Sequence, residues 1–157
     1  MIRCKPFGVM IFVIITSVLL SHAFSQEQSL KKKNIPKPIL EAFNKAWPKA
    51  TIKGFSKEKE KGVVEYEVES VEGKVHRDIS YKADGTVIVV EESMAFNDLP
   101  EPVRNSVTKN YPKAQIKACE KVTKGSVVSY ELGMKSGGKK MELVYNADGS
   151  LMKNEKK

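Results

Sequence analysis

The sequence predicts an α+β protein made of two tandem copies of one unit, each a helix followed by a four-stranded antiparallel meander. Three observations carry this. Residues 35–87 lie over residues 99–151 at a constant offset of 64 without a gap, and 18 of the 53 aligned pairs are identical. Within each copy the apolar period changes from helical to about two, the signature of a helix that gives way to strands. Each copy also closes on the same phrase, Tyr81-x-Ala83-Asp84-Gly85 and Tyr145-x-Ala147-Asp148-Gly149. Ungapped identity at this level marks a duplication, so one small unit has to be explained and then doubled.

Residues 1–25 stand ahead of the fold. Arg3 and Lys5 are followed by an uncharged apolar run over 7–20, and Ala23-Phe24-Ser25 places small residues where a signal peptidase reads. A secretory signal cut after Ser25 is expected, with Ser21-His22-Ala23 as the competing site. The run is shorter than the roughly 20 residues needed to cross a bilayer. Cys4 precedes it and cannot be a lipoprotein cysteine. The expectation is a periplasmic or secreted protein with no stable membrane insertion after cleavage.

Residues 26–34 are polar and lysine-rich and are expected to form a flexible lead-in to repeat 1 (35–94) and repeat 2 (95–157). Pro36 and Pro38 open the first helix, where a missing N–H costs nothing. Ile39, Leu40, Phe43 and Trp47 recur at helical spacing, and Pro48 stops the run. Strands are expected over 51–57, 63–70, 75–82 and 86–92. They are separated by the charged turn 57–62, by Glu72-Gly73, and by Ala83-Asp84-Gly85, whose glycine suits a positive φ. Val64, Tyr66 and Val68 share one face of the second strand, and Glu65, Glu67 and Glu69 the other. On the third strand Ile79 and Tyr81 oppose His76, Asp78 and Ser80.

The second copy follows suit with Val103, Val107 and Tyr111 before Pro112, and Asp98 as a candidate helix cap. Val128, Tyr130 and Leu132, then Leu143 and Tyr145, supply its strand faces, and Gly137-Gly138 a hairpin turn. Side by side, the units would form one layered sheet of up to eight strands, with both helices on one face and the other face open. A 60-residue unit is marginal alone, so the copies are expected to share one core.

The chain carries a formal charge of +8, and loss of Arg3 and Lys5 with the leader lowers it to +6. The lysines are scattered or terminal, as in Lys31-Lys32-Lys33 and Lys156-Lys157, with no aromatic–basic interleaving, which argues against a nucleic-acid partner. After cleavage Cys119 is the single cysteine, so no intramolecular disulfide can form.

The residues that could carry chemistry do not assemble into a catalytic set. A nucleophile needs a base within hydrogen-bond reach. The candidates are His76, matched in copy two by Lys140, and Cys119, matched in copy one by Phe55. A position that accepts Phe or Cys reads as an apolar filler, and one that accepts His or Lys as solvated surface. No acid is placed in an apolar pocket that would prepare it for acid catalysis. The expectation is therefore no enzyme and no cofactor. Glu65, Glu67, Glu69, His76 and Asp78 form a local acidic patch in copy one, where copy two has Ser129, Glu131 and Gly133. Cross-strand lysines such as Lys53 and Lys57 would balance it.

The openings Ile35-Pro36-Lys37-Pro38-Ile39 and Leu99-Pro100-Glu101-Pro102-Val103, the helix ends Trp47-Pro48 and Tyr111-Pro112, and the Tyr-x-Ala-Asp-Gly hairpins behind a signal peptide make the chain resemble the exported PepSY-like proteins, which are themselves similar to β-lactamase inhibitor proteins. The resemblance implies a periplasmic or secreted binding protein that presents a sheet face. From it, together with the repeat, the free sheet face and the lack of a catalytic set, we expect a monomeric, non-enzymatic module, protein-binding or inhibitor-like, whose partner is an unidentified envelope or secreted protein. The candidate recognition face is Phe55, Glu65, Glu67, Glu69, His76 and Asp78, with Phe96 as a further aromatic. The alternative is a periplasmic protein that binds a small molecule or a metal ion through the same acidic face.

Overall fold

A computed structural model describes residues 28–60 and 63–156, so the leader, Gln26, Glu27, Lys61, Gly62 and Lys157 lie outside the described residues. The elements run β1 (Gln28–Ser29), α1 (Lys37–Ala46), β2 (Thr51–Glu60), β3 (Val63–Glu72), β4 (Val75–Tyr81), β5 (Val87–Ser93), α2 (Glu101–Asn110), β6 (Gln115–Lys124), β7 (Val127–Ser136), β8 (Lys139–Asn146) and β9 (Leu151–Lys156). The strands form a single nine-stranded antiparallel sheet in strict chain order.

The helices start as the prolines dictate. Pro36 and Pro100 occupy the N-cap positions, with a second proline in the first turn and no side-chain cap. The expected Asp98 cap is therefore absent, and Asp98 instead closes the 3-10 turn Phe96–Asp98. Each helix buries one short stripe, Ile39 and Phe43 in α1 and Val103 and Val107 in α2.

The helix start is locked to the hairpin that ends the third strand of its own repeat. Gly85 has φ +87°, and a Cβ there would lie 2.7 Å from the Pro38 carbonyl oxygen. At Gly149, φ is +80° and the matching distance to Pro102 is 2.5 Å. This close approach explains why x-Pro-x-Pro and Asp-Gly recur together in both copies.

Several expectations change. Strand β2 extends to Glu60 and β3 to Glu72, so the charged stretch 57–60 is ladder and not turn. The sheet has nine strands because residues 28–34 of the expected lead-in are structured. Gln28 and Ser29 pair with Lys57 and Ser56, the Leu30 N–H donates to the Phe55 carbonyl at 2.8 Å, and Lys32–Asn34 forms a 3-10 turn. The same pattern recurs 64 residues on. Glu92 and Ser93 pair with Lys121 and Glu120, and the Met94 N–H donates to the Cys119 carbonyl at 2.9 Å. The repeating unit thus begins at Gln28 and Glu92, and the end of β5 is also the first strand of repeat 2.

The copies share a sheet but not a core. Ile35, Ile39, Phe43, Val68, Ile79 and Tyr81 form one buried cluster. Leu99, Val103, Val107, Cys119, Leu132, Met134, Leu143 and Tyr145 form another, with no residue in common. Each helix covers the strands of its own repeat. The seam between repeats is the β5–β6 ladder of four pairs, from Val90–Thr123 to Ser93–Glu120.

Candidate functional site: the open sheet face

Because both helices lie on one side, the alternate residues of every strand form a second face that no described helix covers. Ser56, Glu67, Ser80, Val122, Ser129, Glu142 and Val144 point to this side, yet all are buried. Irregularities at Ile52/Gly54 and Ser80/Tyr81, repeated at Ile116/Ala118 and Val144/Tyr145, bend the strands. Bent, twisted strands bring neighbouring side chains of one face over each other, which accounts for burial without a covering layer.

The middle of the face is acidic in both repeats, with Lys124, Lys135, Lys140 and Lys153 toward its ends and its β9 edge. Glu58 pairs with Glu65 across β2–β3, Glu69 with Asp78 across β3–β4, and Asp78 with Glu91 across β4–β5. Beyond the seam Glu120 pairs with Glu131, and Glu142 stands opposite Gly133. Glu67 lies between Ser56 and Ser80. The Glu69 carboxylate crosses over Gly54, where a Cβ would approach it to 3.0 Å. A protein with a formal charge of +8 thus collects most of its half-buried carboxylates on one surface.

Burial and mutual proximity hold several of these carboxyls above their usual range. Asp78 is raised to about 7, mainly by burial and then by the charges of Glu69 and Glu120. Glu91 also rises to about 7, through burial and then Glu120, Asp78 and Glu142. Burial, with Glu142 second, raises Glu120. Glu131 rises to about 9 through burial, the charge of Glu142 and a hydrogen bond with the Glu142 side chain.

The predicted patch therefore exists but is larger than expected. Glu65, Glu67, Glu69, His76 and Asp78 all belong to the open face, with His76 exposed near its rim, where its backbone N–H donates to Ser93 Oγ at 2.8 Å. Phe55 does not. It stands opposite Val68 and packs with the repeat 1 core on the helix side, as Phe96 does in repeat 2. Lys57 is also on the helix side, opposite Tyr66, and cannot balance the glutamates. The patch is not confined to repeat 1, because Glu120, Glu131 and Glu142 continue it across the seam. His76 and Cys119 lie on opposite faces of the sheet, so they form no nucleophile–base pair. No group of three or more His, Cys, Asp or Glu side chains among the described residues converges as a metal site.

On the helix face the seam carries the opposite arrangement. Arg77 Nε donates to Glu92 Oε1 at 2.9 Å, its guanidinium lies 5.6 Å from the centre of the Trp47 ring, and Lys121 Nζ is 3.8 Å from Glu92 Oε2. This chain of charges ties β4, β5 and β6 together. Repeat 2 has Met141 in place of Arg77, which was the available sign in the sequence that residue 77 does something particular to one copy.

Comparison with known proteins follows the same lines. The family model described as "Putative beta-lactamase-inhibitor-like, PepSY-like" matches residues 23–89 and again 64–153. The chain belongs to this PepSY-like family. Among solved structures, a "putative periplasmic" protein from Bacteroides eggerthii is similar with a TM-score of 0.67 at 12% identity, covering 78% of this chain and 88% of that one. A DUF2874 family protein from Bacteroides ovatus reaches 0.66 at 16% identity over 78% and 88%. A BLIP-like protein from Bacteroides fragilis reaches 0.64 at 20% identity over 78% and 86%. These likenesses establish the PepSY-like fold. No curated protein matches the sequence.

Proposed function

We propose that this PepSY-like protein is an exported, non-enzymatic binding module that holds a protein partner bearing basic groups on its open sheet face. One observation carries the reading: a band of carboxylates crosses the middle of the open face from one repeat into the other and is left uncovered by either helix. An exported location is supported by the leader pattern over 1–25 and by the description of the B. eggerthii protein. A binding role is supported by the family description and the BLIP-like neighbour. Charges on such a face act chiefly on encounter rate and choice of partner.

The test uses the rim pair Glu58–Glu65, which is half-buried and outside the crowded centre. Glu58→Lys with Glu65→Lys should leave the melting temperature nearly unchanged. The variant should bind a lysine-rich peptide more weakly than the parent at low salt, and should recover less of any partner drawn from envelope extract. Equal binding by parent and variant at low and moderate salt would remove the open face from recognition.

A further inference from the structure

We infer that the joint between the two repeats is a proton-operated hinge, held closed while the carboxyls flanking the seam are protonated and loosened as they ionise. This goes beyond the proposed binding role and does not depend on any partner.

The geometry supplies the parts of a hinge. Two halves with separate cores meet along a short ladder of four residue pairs. On the helix face the Arg77–Glu92–Lys121 chain pulls the halves together. On the open face the seam is flanked by acid on both sides. Glu91 of β5 faces Asp78 of β4 and Val122 of β6. Glu120 of β6 faces Ser93 of β5 and Glu131 of β7. Farther out, β3 contributes Glu67 and Glu69, β8 contributes Glu142, and β9 places Lys153 opposite Val144 and Glu155 opposite Glu142 by register. His76, Lys124, Lys135 and Lys140 are exposed toward the strand ends, away from the middle of the seam. No basic side chain takes a register position beside Glu91 or Glu120 on this face. A carboxyl hydrogen-bonded to a second carboxyl, as Glu131 is to Glu142, needs a proton between them. When that proton and its neighbours leave, like charges stand on both sides of a short ladder in a partly desolvated setting, where their repulsion is weakly screened.

The sign is set by linkage. Asp78, Glu91, Glu120 and Glu131 are held above their unfolded values, so the folded protein keeps protons that the unfolded chain has already released. Their stabilising effect is complete at acid pH below the unfolded values and is lost as pH rises through the folded ones. The window runs from about pH 4, set by Asp78, to about pH 9, set by Glu131.

Thermal unfolding of the purified protein at low salt should therefore show a melting temperature that falls across this window by about 5 °C or more. Added salt should raise it at the alkaline end and leave the acid end unchanged. Glu91→Gln with Glu120→Gln should melt higher than the parent at alkaline pH and alike at acid pH, whereas Glu92→Gln, which breaks the helix-side tie, should melt lower at both. Hydrogen exchange corrected for intrinsic rate should show amides of 90–93 and 120–123 losing protection with rising pH before those of Val68 and Leu132. A melting temperature that is flat or rises with pH would overturn the proposal. So would an alkaline melting point insensitive to salt, or loss of protection spread evenly over the sheet. The parent's pH and salt profile decides the matter even if the double variant does not fold.

Discussion

Tyr81 and Tyr145 occupy the same place in the two repeats, but their hydroxyls do not fare alike. Both rings are buried in their own core. The Tyr145 side chain is hydrogen-bonded to that of Ser106 on α2. The equivalent position on α1 is Ala42, and the Tyr81 hydroxyl has no partner among the described residues. Burial accordingly drives Tyr81 above its ordinary range, with no hydrogen bond opposing it. A buried hydroxyl left unpaired costs about 1–3 kcal/mol, whereas a made hydrogen bond contributes only about 1 kcal/mol net. Phenylalanine should therefore have opposite effects at the two sites. Tyr81→Phe is expected to stabilise by about 1 kcal/mol and Tyr145→Phe to destabilise by about 1 kcal/mol. Each change corresponds to a shift of about 4 °C in melting temperature for a chain of this size. Ala42→Ser should transplant the missing partner and gain about 0.5 kcal/mol after the lower helix propensity of serine is subtracted. That gain should vanish in the Tyr81→Phe background, a coupling that a double-mutant cycle in guanidinium or heat isolates. Equal losses for Tyr81→Phe and Tyr145→Phe, or a serine gain that survives without the hydroxyl, would refute the reasoning.

Two further outcomes are expected. Gly85→Ala should cost about 3 kcal/mol, since it combines a positive φ with a clash on the Pro38 carbonyl, while Gly73→Ala, with φ +61° and nothing within 4 Å, should cost about 1 kcal/mol; equal costs in denaturant titrations would deny the hairpin–helix lock. N-terminal sequencing of protein recovered from the producing cells should begin at Gln26, or at Phe24 if the competing site is used, and an intact Met1 on cytoplasmic protein would end the export reading.

The architecture was legible because its determinants are local. Prolines at 36, 38 and 48 bracket α1, and strict alternation along 64–69 assigns the faces of β3. Phe55 was misplaced because the β2 irregularity after Ile52 shifts the alternation by one, putting Ile52, Phe55 and Lys57 on the helix side together. The full acidic face was hidden for a different reason. Glu91 and Glu120 become neighbours only through the β5–β6 register, and no local pattern dictates how two repeats will join. The repeat offset pointed away from it, since Glu120 replaces Ser56 and Glu69 becomes Gly133, so each copy holds a different share of the acids. Core separation was likewise invisible, because size alone argues for pooling while the helices each stay over their own strands.

The equivalence of β1 with the end of β5 makes the molecule an open series. Repeat 2 begins by borrowing the last strand of repeat 1, and β9 is to repeat 2 what β5 is to repeat 1. Among the described residues the outer edge of β9 pairs with no further strand, as the end of β5 would if β6 did not lie beside it. Leu151 and Met152 stand exposed on that strand, ahead of Lys153 and Lys156. Lysines on a bare edge repel a second strand of the same kind. The duplication that widened the open face thus also leaves a row of unpaired backbone groups to be guarded, and Lys153 stands on the strand that carries them.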